Sequence, residues 1–180
     1  MTTSEKRRRL IEAAVDLFTE QGIQATSLAD IAKRSDVPLG NVYYYFKTKD
    51  DLARAVFAHR AWEIDQLTEN LDRYASPAER VKAFLAFVAH HADGYTRNGC
   101  PIGRLCQEMN MATPLSDEVA RLFGAVLNWL EGQFRQLGAA DSRRQAVHLL
   151  GAVQGAILLA KTFRDESLLK AEMERLAAAV

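Results

Sequence analysis

The spacing of apolar residues constrains this chain more than any other feature. Along nearly the whole sequence, apolar side chains recur every three or four residues, which is the period of a helix with one buried face. The strict alternation that marks a half-buried strand is absent. With 48% hydrophobic residues over 180 positions, the chain can bury a sizeable core. The sequence therefore predicts an all-α fold.

Capping and breaking residues divide this helical pattern into nine segments. Ser27, Thr48, Ser76 and Asp141 occupy positions typical of N-caps, and Gly22 is placed as a helix stop. The predicted helices span roughly residues 4–21, 28–34, 39–45, 49–74, 77–95, 102–111, 113 or 116 to 137, 142–164 and 167–179.

Composition excludes several classes of protein. Lys plus Arg equals Asp plus Glu at 23 each, so attraction to nucleic acid must come from local placement of charge. Two cysteines do not make the disulfide framework of a small secreted domain, which indicates a reducing compartment. No signal-peptide stretch is present, and the most apolar segment, residues 155–160, is far shorter than the roughly 20 residues of a membrane helix. We therefore expect a cytoplasmic protein with no membrane partner.

Two short helices, residues 28–34 and 39–45, follow the first long helix and are joined by a four-residue turn. This arrangement is typical of a helix-turn-helix, whose second helix enters the major groove of DNA. Side chains suited to contacts with bases and phosphates lie on or just after that second helix. They are Leu39, Gly40, Asn41, Tyr43, Tyr44, Lys47 and Lys49. Tyrosines and lysines on a short helix also form ordinary packed surface, so the pattern alone leaves both interpretations open.

Residues 25–32 read ATSLADIA and residues 37–52 read VPLGNVYYYFKTKDDL. This stretch closely resembles the tetracycline-repressor (TetR/AcrR) family of transcriptional regulators, and the resemblance covers roughly residues 10–55. It implies a nine-helix, two-domain repressor. Residues 1–50 would form a three-helix DNA-binding head, and residues 51–180 a helical bundle for ligand binding and dimerisation.

The resemblance also implies a role for individual residues on DNA. Thr26 and Ser27, at the start of the second helix, are expected to touch a phosphate through a hydroxyl or a backbone amide. Leu39, Gly40 and Asn41 match positions that read bases or touch the backbone, and Tyr43, Tyr44 and Lys49 match phosphate clamps. Leu39 departs from the polar residue of some members, so a thymine methyl is its expected contact.

A basic run precedes this segment. Residues 6–9 are Lys6, Arg7, Arg8 and Arg9, which lie where the family's N-terminal extension meets DNA. A phosphate or minor-groove contact and a merely solvated helix start are both open for this run. Residues 1–50 hold eight Lys or Arg against seven Asp or Glu, so their net charge attracts DNA little. Affinity for DNA has to come from individual contacts at specific positions and from dimerisation.

One helix-turn-helix makes too few contacts for tight operator binding, so a homodimer with a fixed half-site spacing is expected. In the resembling family, the last two long helices form a four-helix bundle across the dimer. The eighth helix carries Gly151 and Gly155 four residues apart, and more apolar surface than one subunit should cover. We expect its interface residues to be Leu150, Val153, Gln154, Ile157 and Leu158. The alternative is that they form only intramolecular core.

The fourth to seventh helices are expected to enclose a cavity for a small-molecule effector, because the family binds its effector there. The candidate lining residues, each of which could also be plain core, are Trp62, Phe84, Phe87, His91, Tyr95, Met109, Phe123 and Trp129. The fourth helix would link this site to the DNA-binding head. The expected mechanism is a population shift, in which the ligand favours a conformer whose recognition helices no longer match the groove spacing.

Cys100 and Cys106 form a separate hypothesis. The segment NGCPIG at residues 98–103 places one thiol in a turn and the other on the next short helix. It resembles a subgroup of repressors that sense oxidants or electrophiles by cysteine modification. A thiol at a helix N-terminus reacts faster because its pKa falls, which would suit Cys100. The alternative is that both cysteines are small buried hydrophobes.

The sequence does not support an enzyme. It contains no glycine-rich phosphate loop, no His-Glu-x-x-His and no zinc-type pairing of cysteines. His90 and His91 are adjacent and face different sides of a helix, so they make a poor metal pair. No cofactor or metal is expected. The rival that stays open is a helical protein-interaction module without DNA binding.

Overall fold

The computed structural model describes residues 2–108 and 114–180, and within these residues the chain is helical with no strand. The all-α prediction is confirmed. The helices are α1 (Thr3–Glu20), α2 (Leu28–Ser35), α3 (Leu39–Tyr45), α4 (Lys49–Leu71), α5 (Pro77–His90), α6 (Ala92–Asn98), α7 (Pro101–Glu108), α8 (Pro114–Gln136), α9 (Ser142–Phe163) and α10 (Glu166–Ala178).

A bend explains why ten helices are described where nine were predicted. The expected fifth helix breaks at His91, which ends α5 and begins α6. The carbonyl oxygen of Phe87 lies 3.2 Å from the His91 backbone nitrogen and 2.8 Å from its ring Nδ1. A side chain that competes for a helix carbonyl kinks the helix at that point. With the bent pair counted as one helix, the described fold has the nine predicted segments.

The helices group into two compact units. The first unit is Met1–Trp62 with Arg104–Leu122, and the second unit is Glu63–Gly103 with Phe123–Val180. Packing thus groups residues 51–62 and 104–122 with the N-terminal helices. The boundary after residue 50 stays a prediction about where DNA binding ends and ligand binding begins.

The first unit packs α1, α2 and α3 around one core. Ile31 and Val42 are fully buried, and Phe46 is almost so, as their helical spacing predicts. Leu28, the first residue of α2, is only half-buried. Burial of Val42 fixes which side of α3 faces inward, and therefore which side faces solvent.

The second unit is built on α9, which contacts α6 and α10, while α10 also contacts α5 and α6. One side of α9 supplies core residues, among them Leu149, Val153, Ile157 and Ala160. By length and composition alone, α9 is also the one helix of the described residues that would suit a membrane span. A partly buried core helix passes the same test, which makes this weak evidence for a membrane.

Candidate nucleic-acid interface

The turn between α2 and α3 positions the proposed recognition helix. Asp36 adopts the left-handed conformation (φ 54°, ψ 41°) that closes α2, and the Val37 amide donates to the Ala32 carbonyl at 3.1 Å. Pro38 then precedes α3, and its carbonyl accepts from the Asn41 amide at 2.8 Å. The chain thus reverses tightly and starts the second helix in a defined orientation.

The outward side of α3 is rich in large side chains. Leu39 is 41% exposed, Tyr43 51% and Tyr44 70%, whereas Val42 on the opposite side is inaccessible to solvent. The Tyr44 and Tyr45 rings meet edge to face, with 5.0 Å between their centroids. Packed surface would require these tyrosines to be covered by their own subunit. Their exposure instead suits contact with an external partner.

Gly40 lies on the same exposed side. A Cβ at this position would have no other described atom within 4 Å, so intramolecular packing does not require glycine here. Asn41, next to it, is half-buried. A residue without a side chain on an exposed helix start lets a partner approach the backbone closely.

The two lysines that follow α3 differ in their surroundings. Lys47 is exposed. Lys49 is half-buried, and its Nζ donates to the carbonyl oxygen of Gln24 at 3.2 Å. An ammonium group has three donors, so this bond orients Lys49 and leaves two donors for other acceptors.

The expected phosphate contact of the Thr26 side chain is wrong. Thr26 is 2% exposed, and its hydroxyl donates to the Gly22 carbonyl at 2.6 Å while it accepts from Gln21 Nε2 at 3.2 Å. Its backbone amide donates to the Ile23 carbonyl at 3.2 Å. Thr26 therefore holds the turn before α2 in place. A threonine close after a helix-ending glycine serves either role, so the sequence does not separate the two.

Ser27 is the N-cap of α2 and forms a reciprocal capping box. Its hydroxyl oxygen accepts from the Asp30 amide at 3.1 Å, and Asp30 Oδ2 accepts from the Ser27 amide at 2.9 Å. The Ser27 hydroxyl also donates to the same carboxylate oxygen, at 2.6 Å. These bonds, led by the hydroxyl, lower the pKa of Asp30 below its ordinary value. The box keeps the start of α2 rigid.

The basic run on α1 makes contacts inside its own unit. The Arg7 guanidinium lies 5.4 Å from the centroid of the Phe46 ring, and Arg8 pairs with Glu12 at 2.6 Å. Arg9 lies 3.5 Å from Asp36, in the turn before α3. Lys6 is half-buried. Arg7 and Arg9 thus lie beside the residues that flank the recognition helix.

The residues expected to line the effector pocket differ in the unit to which they belong and in their burial. Trp62 belongs to the first unit, is 56% exposed and lies 5.6 Å from the His59 ring. In the second unit, Phe84 is buried and lies 6.1 Å from Trp129, whose indole N–H donates to Asp72 at 3.0 Å.

The other described residues of the expected pocket are exposed or half-buried. His91 is exposed and its ring lies 4.3 Å from that of Phe87. Phe87, Tyr95 and Phe123 are half-buried, and Met109 lies outside the described residues. Among the described candidates in the second unit, Phe84 is therefore the buried residue, and its ring lies beside the half-buried Trp129.

Cys100 and Cys106 are both half-buried. Cys100 immediately precedes α7, and its Sγ accepts from the Gly103 amide at 3.4 Å. The Cys100 sulfur thus takes the position of an N-cap side chain on α7.

Three of the five expected dimer-interface residues on α9 need correction. Val153, Ile157 and Leu150 are buried within the protomer, so they are intramolecular core and have no surface to offer a partner. Gln154 is half-buried, and Leu158 is 60% exposed. The side of α9 that does face solvent carries further exposed apolar residues, Val147, Leu159 and Phe163.

Comparisons with known proteins agree with this geometry. Residues 10–56 match the family described as bacterial regulatory proteins, tetR family, and residues 77–175 match the transcriptional regulator LmrA/YxaF-like C-terminal domain. The HTH-type transcriptional regulator LmrA of Bacillus subtilis is 29% identical over 173 residues, which cover 93% of this chain and 92% of LmrA.

Solved structures show the same fold. A TetR-family transcriptional regulator from Agrobacterium tumefaciens is 18% identical and covers 99% of both chains with a TM-score of 0.89. FadR of Bacillus subtilis, solved in complex with stearoyl-CoA, is 20% identical and covers 96% of this chain and 98% of its own, with a TM-score of 0.69. Together with the two family matches, these similarities identify the chain. It belongs to the tetR family of bacterial regulatory proteins, as a DNA-binding transcription regulator with an LmrA/YxaF-like C-terminal domain.

Proposed function

We propose that this protein is a cytoplasmic repressor that binds operator DNA as a homodimer through α3 and leaves it when a small molecule binds. The observation that carries the proposal is the two-sided character of α3. Val42 is buried and anchors the helix in the core, while Leu39, Tyr43 and Tyr44 are exposed to solvent. An anchored helix with one free side suits insertion into a major groove.

The contacts on DNA divide into base readers and phosphate ligands. Leu39, Gly40 and Asn41, at the start of α3, read base edges or approach the backbone. Tyr43, Tyr44, Lys47 and Lys49 hold phosphates. At α2 the phosphate donors are the first-turn backbone amides, since the Thr26 and Ser27 hydroxyls are engaged within the chain. The basic residues Lys6, Arg7 and Arg8 add positive charge beside this surface.

The homodimer forms through the solvent-facing side of α9 together with α10. Leu158 and Phe163 are 60% and 66% exposed, and Leu168 on α10 is also exposed. Gly151 and Gly155 lie on the open side of α9, where an added Cβ would have no described atom within 4 Å. Two glycines one turn apart allow a second helix to approach closely.

The effector binds in the second unit, near Phe84 and Trp129. FadR, which shares the fold, was solved in complex with stearoyl-CoA, and the effector of this chain is likewise a small molecule. Its binding favours a conformer in which the two recognition helices no longer match adjacent major grooves. The protein performs this role without catalysing a reaction.

The test is fluorescence anisotropy with labelled duplexes from the DNA that flanks the gene, titrated with salt. We expect one duplex to bind specifically, with an affinity that falls steeply as salt rises because phosphate contacts release counterions. Tyr44→Phe should weaken binding, whereas Tyr74→Phe, which alters an exposed tyrosine of the second unit, should not. Equal affinity for unrelated duplexes would refute the proposal, and absence of binding to any duplex would favour a protein-interaction module.

A second mode of release is cysteine modification, which the Cys100 Sγ contact with the Gly103 amide favours. In this mode, an alkylating agent or peroxide weakens operator binding. Cys100→Ser should abolish that response while Cys106→Ser retains it. Operator binding that ignores these reagents, or that responds equally in both variants, would exclude it.

A further inference from the structure

The end of α7 contacts the end of α1 within the first unit. Arg104 Nη1 donates to the carbonyl oxygens of Thr19 and Glu20, at 3.3 and 3.1 Å. These carbonyls belong to the last turn of α1, where no further helix turn provides donors. A guanidinium at a helix C-terminus also meets a favourable dipole. Arg104 therefore caps α1 from a helix more than 80 residues away in sequence.

One turn further along α7, Glu108 joins the same contact. Its Oε1 accepts from Arg104 Nε at 3.0 Å, and its Oε2 accepts from the backbone amide of Gln24 at 3.2 Å. Both side chains are largely buried, with 25% and 21% of their surface exposed. The carboxylate also lies over Gly22, where an added Cβ would meet it. The φ of Gly22, +89°, is a backbone conformation that favours glycine.

Gln24 is held from both sides. Its amide donates to Glu108, and its carbonyl oxygen accepts from Lys49 Nζ at 3.2 Å. Lys49 begins α4 and is one of the expected phosphate ligands. The position of the Lys49 ammonium group therefore depends on the backbone of one residue, Gln24, whose amide Glu108 holds and whose neighbour Glu108 is in turn held by Arg104.

We propose that Arg104 and Glu108 are positioning residues for DNA binding, which set the Lys49 ammonium through Gln24. The inference rests on the proposed function, since it assumes that Lys49 binds a phosphate. Charge-assisted hydrogen bonds in a partly buried site hold a loop more firmly than ordinary turn contacts do. Without them, the 22–25 loop shifts and Lys49 loses the acceptor that orients it.

The test measures operator affinity of the full-length protein, on the duplex that the wild-type chain binds specifically. Arg104→Gln and Glu108→Gln should each weaken binding, and the double variant by about tenfold, the scale of one hydrogen bond to a charged group. The slope of log affinity against log salt should fall by about one, as it does when one phosphate contact is lost. The matched control is Arg97→Gln with Asp93→Asn, an exposed i,i+4 ion pair on α6 at 2.7 Å.

A double-mutant cycle with Lys49→Ala distinguishes positioning from general destabilisation. In the Lys49→Ala background, the Arg104 and Glu108 substitutions should lower operator affinity by less than about twofold, because the phosphate contact that these residues position is already lost. Equal losses with and without Lys49, or an unchanged salt slope, would overturn the inference. If the double variant does not fold by circular dichroism, Glu108→Gln alone, which keeps an acceptor oxygen, decides the question. If wild-type protein shows no specific binding, it is the proposed function that fails.

Discussion

Asn41 and Tyr44 are close on the same short helix and are expected to differ in what they recognise. We expect Asn41, in the first turn of α3, to reach base edges, and Tyr44, which is 70% exposed, to offer its hydroxyl to a phosphate. Asn41→Ala should change the preferred base at one operator position, with a cost of about 1–3 kcal/mol on the native sequence. Tyr44→Phe should weaken binding to all operator sequences by a similar factor. Binding to a panel of single-base operator variants measures both, and uniform loss in Asn41→Ala would show that it reads no base.

Thr96, on α6, carries a hydroxyl that is buried and has no hydrogen-bond partner among the described residues. Thr96→Val should raise the free energy of unfolding by about 1 kcal/mol, because it removes an unsatisfied polar group and keeps the shape of the side chain. Urea denaturation measures the change.

The matched control for Thr96 is Thr68 on α4, whose hydroxyl donates to the Ile64 carbonyl at 3.1 Å. Thr68→Val should leave stability unchanged or lower it slightly. A loss of stability in Thr96→Val as large as in the control would mean that the hydroxyl of Thr96 is satisfied in solution.

At the scale of helices, the capping box of α2 makes part of the stability depend on pH. The Ser27 hydroxyl and amide lower the pKa of Asp30, so the folded state favours the carboxylate. The carboxylate of Asp30 therefore contributes fully to stability above about pH 4, the ordinary pKa of this group in the unfolded chain. The contribution is lost as the pH falls through the lower pKa of the folded state. Thermal midpoints of wild type and Asp30→Asn should differ by a constant amount from pH 7 to 5. The difference should shrink below about pH 4.

Other carboxylates with lowered pKa values do not disturb this comparison. Glu20, paired with Arg34 between α1 and α2, and Glu172, paired with Arg175 on α10, titrate in both proteins alike. A difference between wild type and Asp30→Asn that widens in acid would contradict the expected sign.

Helix starts were the part of the fold that the sequence predicted best. Ser27, Ser76 and Asp141 are N-caps in the structure as expected, and α3 has the predicted bounds. A cap is a local event, decided by residues three positions apart, so a single sequence contains its cause. The bend at His91 was missed because a histidine ring that reaches its own helix carbonyl has no distinctive pattern.

Features that depend on distant partners were not predicted. Arg104 and Glu108 look like an ordinary i,i+4 ion pair, and their contacts with α1 and the following loop join residues more than 80 positions apart. The inward side of α9 was also misjudged, because Leu158 and Ile157 are both apolar and only packing decides which is covered. The place of Thr26 before α2 predicts a DNA ligand, whereas its hydroxyl closes a local turn.

At the scale of the whole molecule, the exposed side of α9 predicts the oligomeric state. Leu158→Glu should give a folded monomer, because a charge in an apolar contact between helices is not paired. Leu137→Glu, which alters an exposed leucine just after α8, should stay dimeric. Sedimentation velocity measures both, with circular dichroism as the check on folding. A dimeric Leu158→Glu protein would place the interface elsewhere.

The apolar side of α9 also ties the regulator to its own abundance. Where free protomers dominate, the amount of the paired species rises with the square of the protomer concentration, so halving the number of copies in a cell lowers it about fourfold. Occupancy of a promoter would then respond to gene dosage more steeply than in proportion. Leu158 and Phe163, far along the chain from the recognition helix, would set the threshold at which silencing begins.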